Sequence, residues 1–422
     1  MLDILFIKKN LSETIASLKK KKFDSEKIII KLLELDDLRI TSQKKSNSIQ
    51  EKININSKKI GDLYKNKKLN EANDLKAYGS KLKEDLKEII EQEKKIKIQI
   101  HNILITIPNI PNSNVPEGIS EKDNQVEKTK TINFINKLNY LSHWDLAKKY
   151  NLIDFEKGTV ITGSGFPLYR NKGAIIQRAL INFFLEFNTK AGYSEYIPPL
   201  LVNQESAFGT GNLPDKDGQM YYIEKDNLYL IPTAEVPLTN IYRNEIIEIS
   251  NLPIKLTAYT PCFRREAGSY GKNVRGLNRL HQFDKVEIVQ ITHPKNSHNK
   301  LKEMIAHVES LLNALELPFR LVKLCGGDLS FSSALTYDFE VFSRAQEKWL
   351  EVSSISNFEA FQSRRCNIRF KENNKINFCH TLNGSSLALP RILAAILENN
   401  QSEKGIKLPK SLIKYTGFET IS

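Results

Sequence analysis

Residues Tyr259-Thr260-Pro261-Cys262-Phe263-Arg264-Arg265-Glu266-Ala267-Gly268-Ser269-Tyr270-Gly271 read as a strand running into a glycine-rich loop. The chain returns through Arg275-Gly276 as Arg279-Leu280-His281-Gln282-Phe283-Asp284-Lys285-Val286-Glu287-Ile288-Val289. Alternation along an extended chain puts every second side chain on one face. Arg264 and Glu266 are therefore expected to point together. Phe283 and Glu287 share a face about 13 Å apart, at ~3.3 Å per residue. One surface then offers an aromatic plate, a guanidinium that can grip a phosphate or carboxylate bidentately, and two carboxylates. A nucleotide joined to an amine-bearing group would need that set. An ordinary salt-bridge lattice on a sheet surface would carry the same residues.

Working outward, further short β-rich runs cover Leu228 to Ile231, Tyr337 to Phe342 and Trp349 to Ser353. Between Lys172 and Lys190, Ile175, Ile176, Ala179, Leu180, Phe183, Phe184 and Phe187 recur at helical period. Pro198-Pro199 restricts Tyr193 to Val202 to an edge or irregular strand. Strands in runs, with helices grouped elsewhere, indicate an α+β body with a mostly antiparallel sheet. Neither GxxxxGK[ST] nor GxGxxG occurs, which weighs against a doubly wound nucleotide fold.

The N-terminal part differs in character. From Lys20 to Lys97 there are 21 Lys and Arg against 14 Asp and Glu, more than half of the chain's net charge of +13. That stretch has no proline, and its only glycines are Gly61 and Gly79. Leu75, Tyr78, Leu82, Leu86, Ile89, Glu93, Ile96, Ile100 and Ile103 step by three and four, an a/d seam with one polar break at Glu93. Leu35, Leu38, Ile49, Ile53, Ile60 and Leu63 hold a similar register, with polar gaps at Ser42 and Lys45. Lys65-Asn66-Lys67-Lys68 separates the two seams. The expectation is a long antiparallel α-helical coiled-coil hairpin with arms of about 50 Å at 1.5 Å per residue, projecting and basic. Such an arm suits a nucleic-acid backbone, a dimer contact or a solvated spacer. Three prolines between Ile107 and Gly118 end the helix. The expected division is an arm over 1–107, a linker over 108–130 and a body over 131–422.

Composition sets outer bounds. The 422 residues are 40% hydrophobic and 26% charged, which excludes a wholly disordered chain. Apolar runs such as Ile103 to Ile107 fall far short of the ~20 residues that cross a bilayer. The N-terminus lacks the basic, apolar and small-residue pattern of a secretory signal. Four cysteines, Cys262, Cys325, Cys366 and Cys379, show no CxxC spacing, so neither a disulfide scaffold nor a zinc ribbon is indicated. His281, His293, His298 and His307 have no metal-ligand spacing either. The expected protein is cytoplasmic. Its basic surplus suggests a polyanionic partner, although abundant Lys, Asn and Ile also reflect coding bias.

Near the C-terminus His380-Thr381-Leu382-Asn383-Gly384-Ser385-Ser386-Leu387-Ala388-Leu389-Pro390-Arg391 leads into an apolar helix. Pro390 suits its first turn. Arg391 then opposes the helix dipole, which makes sense if an anion also sits there.

These strings resemble the signatures of the class II aminoacyl-tRNA synthetases, and within them the bacterial (type-1) seryl-tRNA synthetase family. The resemblance is carried by Thr233-Ala234-Glu235, Phe263 to Ser269, Arg275-Gly276-Leu277, His281-Gln282-Phe283, Glu351-Val352-Ser353-Ser354 and Thr381-Leu382-Asn383-Gly384-Ser385. It implies a class II antiparallel sheet flanked by helices. It also implies an aminoacyl-tRNA ligase that activates L-serine with ATP and passes it to tRNA(Ser), and to a selenocysteine tRNA where one exists.

The same resemblance assigns roles. Thr233, Ala234, Glu235, Arg264, Glu287 and Ser385 would surround serine, with Glu287 near its ammonium. Arg264, Arg265, Glu266, Leu280, Phe283, Glu351, Val352, Ser353, Ser354 and Arg391 would hold ATP. Arg264 would bridge phosphate and carboxylate, and Phe283 and Arg391 would cover the two faces of adenine. Glu351 and Ser354 would bind Mg²⁺. Arm lysines such as Lys44, Lys45, Lys58, Lys59, Lys65, Lys67 and Lys68 would meet tRNA, and the Pro198-Pro199 segment would lie in a homodimer interface, with tRNA bound across subunits. Strict alternation separates Glu351 from Ser354, so a strand end or bulge is required between them. The chain departs from the family pattern at Arg265 (commonly Ser), Leu335 (often Lys), Leu350 (often Arg) and Ser386 (usually Gly). Two rival readings are a synthetase-like ligase acting on a carrier protein, which would not need the arm, and a non-catalytic nucleic-acid-binding coiled coil, which could lose Arg264, Glu351 and Arg391.

Overall fold

The computed structural model describes residues 1–131, 140–215, 217–266 and 275–422, so Ala267 to Gly271 of the glycine-rich loop lie outside it. The chain divides into two compact units, residues 1–19 with 23–108, and 20–22 with 109–422. Among the described residues no helix is long and apolar enough to cross a membrane.

In the first unit, helix α1 (Glu26–Lys65) and helix α2 (Leu69–Leu104) form the hairpin, with Lys67 at φ +60° in the turn between them. Helices this long draw their stability from the seam between them. Leu35, Ile53, Leu82, Ile100 and Leu104 are buried there. Leu38 and Tyr78, expected in the seam, are instead 54% and 49% exposed. The register slips by one residue at both places, because steps of three and four are equally open to a helix of 3.6 residues per turn. At the second slip Gly79 faces the partner helix. A Cβ there would meet Asn56 Nδ2 at 2.8 Å, and that amide donates to the Leu75 carbonyl at 2.8 Å. The polar break at Glu93 has a buried partner: Ser46 Oγ donates to Glu93 Oε1 at 2.8 Å. Lys44, Lys45, Lys58, Lys59, Lys65, Lys67 and Lys68 are all exposed.

The second unit is built on an eight-stranded sheet. Its strands are β1 (Gln125–Lys130), β2 (Ser194–Glu195), β3 (Ile254–Phe263), β4 (Gln282–Thr292), β5 (Phe319–Lys323), β6 (Leu335–Ser343), β7 (Lys348–Glu359) and β8 (His380–Ala388). Their order is β1-β5-β6-β7-β8-β4-β3-β2. Every pairing is antiparallel except β2 with β3, at the edge where Pro198-Pro199 follows. In sequence β8 shows only a run into a helix, because its Thr, Asn and Ser residues mask a strand's apolar pattern, yet it is central in the sheet. The expected linker is also revised. Gln125–Lys130 is an edge strand on β5, and its almost wholly exposed, polar face looks like coil in sequence.

Alternation divides β4 between two environments. Val286 and Ile288 join the main core, where helices α3 (His143–Lys149), α4 (Asn171–Lys190), α5 (Ser297–Ala314) and α6 (Leu389–Asn399) cover one face of the sheet. The odd residues Phe283 and Lys285 line a cleft on the other face. Leu335, one of the departures noted in the sequence, is 4% exposed and belongs to the core.

Ser46→Ala should lower the thermal midpoint by leaving Glu93 without its buried donor, a cost of about 1–3 kcal/mol. Adding Glu93→Leu should restore the midpoint to the starting value or above. Melting curves of the two variants decide it; a double variant less stable than Ser46→Ala alone would contradict the seam described here.

Candidate active site

The cleft has a volume of about 600 Å³, within the usual range for small-molecule sites. Its walls come from strands β4, β7 and β8, the first turn of α6 and loops that include Pro232, Thr233 and Arg264. Thr233, Glu235, Arg264, Glu266, Leu280, Phe283, Glu351, Val352, Ser354, Ser385 and Arg391 all line it. Sequence alternation succeeded for Phe283 but not for Arg264 and Glu266. Strand β3 ends at Phe263, and Glu266 adopts a left-handed φ of +47°, so the two side chains converge through loop geometry. Glu266 pairs with Arg279.

Four expected residues lie elsewhere. Arg265 is exposed, with its N–H donating to the Gln219 carbonyl at 2.8 Å. Ala234 is fully buried. Ser353 turns to β8, its hydroxyl donating to the Ser385 carbonyl at 2.6 Å. Glu287 is fully buried behind the cleft surface. Leu350 is also buried and does not line the cleft.

The required irregularity between Glu351 and Ser354 is present. Phe339 pairs with Ser353 and Glu340 with Glu351, which leaves Val352 as an extra residue bulged out of β7. The bulge resets the alternation, and the Glu351 and Ser354 side chains both line the cleft. Asp338 is the ladder partner of Ser354. Burial, together with the nearby Glu351 charge, raises its carboxyl well above the ordinary value.

At the other end of the cleft two carboxylates share a set of donors. Asn383 Nδ2 donates to Glu235 Oε2 and to Glu287 Oε1, each at 2.9 Å. Lys285 Nζ lies 2.6 Å from Glu287 Oε2, and Thr233 Oγ1 donates to the same oxygen at 3.3 Å. Gln362 Nε2 donates to Glu235 Oε1 at 2.7 Å and is itself oriented by Thr381. Burial, with the Glu287 charge beside it, pushes the Glu235 carboxyl up to about 7. Lys285, Asn383 and Gln362 were not expected. Lys285 sits two residues from both Phe283 and Glu287, and Asn383 two before Ser385, so period-two spacing could have found both. Gln362 comes from a remote helix and left no such signal.

Arg264 and Arg391 are each tethered by Nε to a neutral backbone carbonyl. Arg264 donates to Pro232 O at 3.3 Å and its guanidinium lies 5.2 Å above the centre of the Phe283 ring. Arg391 donates to Asn278 O at 3.1 Å, while its Nη1 donates to Glu351 O at 2.7 Å and lies 3.6 Å from Glu351 Oε2. Pro390 occupies the first turn of α6, as expected.

Comparison with known proteins gives concordant results. Residues 1–111 match the seryl-tRNA synthetase N-terminal domain, and residues 221–400 match the class II tRNA synthetase core domain (G, H, P, S and T). Serine–tRNA ligase of Salinibacter ruber is 46% identical, over 100% of this chain and 99% of its own. That of Methylacidiphilum infernorum is 47% identical over 98% and 99%. Among solved structures, seryl-tRNA synthetase of Pyrococcus horikoshii complexed with ATP superposes with a TM-score of 0.94 at 33% identity, covering 100% of this chain and 99% of that one.

Because the Glu235 carboxyl keeps its proton in the fold up to about pH 7 but loses it near 4.5 when unfolded, stability should fall as pH rises through that window. Glu235→Gln removes the effect. Its thermal midpoint relative to the unaltered protein should therefore be higher at pH 8 than at pH 5, and an equal offset at both would refute the assignment.

Proposed function

Since the chain belongs to the seryl-tRNA synthetase family of class II enzymes, we propose that it is a cytoplasmic serine–tRNA ligase working through the cleft described above. The observation that carries this reading is one cleft that joins a donor-satisfied carboxylate pair, a ring-stacked arginine and a Glu–Ser oxygen pair beside a second arginine. Those three stations suit, in order, an amino acid's ammonium, the junction of carboxylate and α-phosphate, and the outer phosphates of ATP.

In the first step a serine carboxylate oxygen attacks the α-phosphorus, and pyrophosphate leaves. Two anions must approach, so positioning and charge neutralisation supply most of the catalysis. Arg264 contacts both groups through the guanidinium edge left open by its Nε tether. Glu235 faces the ammonium at the cleft surface, and Glu287 orients Thr233, Asn383 and Lys285 from behind. Ser385 and Thr233 give hydroxyls to the substrate end. Adenine stacks on Phe283, with Glu266 and Leu280 at its edge, and Arg391 takes the γ-phosphate side. Glu351 and Ser354 supply hard oxygen donors that fit a Mg²⁺ ion carrying phosphate oxygens; bound there, the ion would neutralise phosphate charge. In the second step a terminal ribose hydroxyl of tRNA attacks the seryl carbonyl, and AMP leaves. A site built to bond a hydroxyl should reject alanine by up to ~10⁴–10⁵-fold, because its polar groups would be left unpaired.

The exposed lysines of the α1–α2 hairpin follow the tRNA backbone in this reading, and the presence of the hairpin disfavours a carrier-protein ligase. The active form is a homodimer through the Pro198-Pro199 segment, with tRNA bound across subunits.

ATP–pyrophosphate exchange across a panel of amino acids, followed by charging of total tRNA, tests the proposal: only serine should support strong exchange. Arg264→Ala should slow exchange at least about a hundredfold, equivalent to ~3 kcal/mol of lost transition-state stabilisation, and a loss under threefold would refute its role. Deleting Ile28 to Ile103 should spare exchange and abolish charging at physiological salt; undiminished charging would refute the role of the arm.

A further inference from the structure

The wall of the cleft that holds Arg391 is itself held from behind by groups outside the cleft. Residues Arg275 to Asn278 bring the chain back toward β4 and cross the N-terminal end of α3. The Arg275 guanidinium lies 4.7 Å above the centre of the Trp144 ring. Gly276 has a φ of +68° and is pressed so closely on α3 that a Cβ would come within 2.2 Å of His143 Nε2. Its neighbour Leu277 donates its N–H to His143 Nε2 at 2.8 Å. An imidazole nitrogen that accepts carries no proton, so the ring's hydrogen is on Nδ1. There it donates to Glu398 Oε1 at 2.7 Å.

Glu398 comes from α6, the helix whose first turn bears Arg391. Both His143 and Glu398 are fully buried. The carboxylate is well supplied with donors. The His143 N–H reaches Oε1 at 3.0 Å, Gln346 Nε2 reaches it at 3.1 Å, and Ser343 Oγ bonds Oε2. Gln346 also accepts from Asn278 Nδ2 at 2.8 Å. One buried carboxylate thereby grips both Leu277, through His143, and Asn278, through Gln346. The backbone carbonyl of Asn278 receives Arg391 Nε at 3.1 Å.

We propose that His143, backed by Glu398, is a positioning residue for the ATP-binding wall: it fixes Leu277 and Asn278, and the Asn278 carbonyl then aims Arg391 into the cleft. A buried pair of this kind does not touch the reacting atoms. It resembles the orienting groups behind a metal-ligating histidine, where a carboxylate fixes the ring and its tautomer so that the other nitrogen has one direction. Here the second nitrogen fixes backbone rather than metal. The proposal rests on the reading of Arg391 as an ATP-binding group.

The test uses the full chain with His143→Asn, His143→Gln and Gly276→Ala, each checked for folding by its melting curve. Asn keeps a donor for Glu398 but cannot reach Leu277, whereas the longer Gln can place an acceptor near the Nε2 position. In serine-dependent exchange, His143→Asn and Gly276→Ala should raise KM for ATP at least about tenfold while leaving KM for serine within about twofold. His143→Gln should recover most of the loss. Combined with Arg391→Ala, His143→Asn should add little, because both remove the same contact.

Gly276 is half-buried in the loop and is not itself a member of the His143–Glu398 pair, so its variant keeps the question open to measurement if the His143 variants fail to fold. A folded Gly276→Ala with KM for ATP within about twofold of the unaltered protein, equal impairment by Asn and Gln, or full additivity with Arg391→Ala would each overturn the proposal. Should the unaltered protein show no serine-dependent exchange, the functional reading fails. The dissociation constant for ATP of the same variants, by calorimetry, then judges the wall on its own, and absence of ATP binding overturns it too.

Discussion

An arginine can wait in a cleft for an anion only if its place is fixed by groups that do not cancel its charge. Arg264 meets that condition through an Nε–H given to the Pro232 carbonyl, while Arg391 makes the same kind of contact with the Asn278 carbonyl but also lies 3.6 Å from the Glu351 carboxylate. At Arg264 the carbonyl orients the guanidinium plane and leaves its far edge for two-point contact with phosphate or carboxylate. The Phe283 ring under Arg264 adds attraction without a countercharge. Much of the surrounding architecture then serves to hold two carbonyls still. Pro232 is followed directly by Thr233 and Glu235 of the carboxylate end, and Asn278 is anchored on the buried Glu398 through Gln346.

The carboxylate end solves the opposite problem. Two acids buried side by side repel, and each loses solvation. The cleft answers with a shared amide, Asn383, a lysine on Glu287 and a glutamine on Glu235. The compensation is uneven. Glu287 has the cation and stays behind the surface. Glu235, with amide donors only, is left with a carboxyl raised to about 7. That imbalance makes Glu235 the member of the pair whose ionised form gains most from an incoming ammonium.

The hairpin uses related physics for a different end. Its seam is apolar enough to zip, yet it carries the buried Ser46–Glu93 and Asn56–Leu75 contacts. Single polar contacts in a helical seam fix which residues face each other, at some cost in stability. The register differs from the one that leucine spacing alone would suggest, with Leu38 and Tyr78 at the surface. The basic residues stay outside, where hydration costs nothing to keep and a polyanion can reach them.

Local pattern determined a good deal here. The a/d steps implied two long helices and a turn near Lys67, and period-two spacing put Phe283 and Glu287 on one face. The offset between Glu351 and Ser354 even demanded the bulge found at Val352. These features depend on neighbours a few residues apart, and the backbone's own periodicities report them. Tertiary structure alone decided the rest. Glu287 lies behind the cleft surface because Thr233, Lys285 and Asn383 from three segments close over it. Glu266 meets Arg279 through a left-handed turn that no alternation rule contains. The Gln125–Lys130 tract became a strand because an open edge of β5 was there to pair with it. His143, Gln346 and Glu398 are far apart in sequence, and only the packing of α3 and α6 against one core brings their hydrogen bonds within reach of the same loop. Spacing along a chain encodes local geometry, whereas contact between distant segments depends on how the whole core closes.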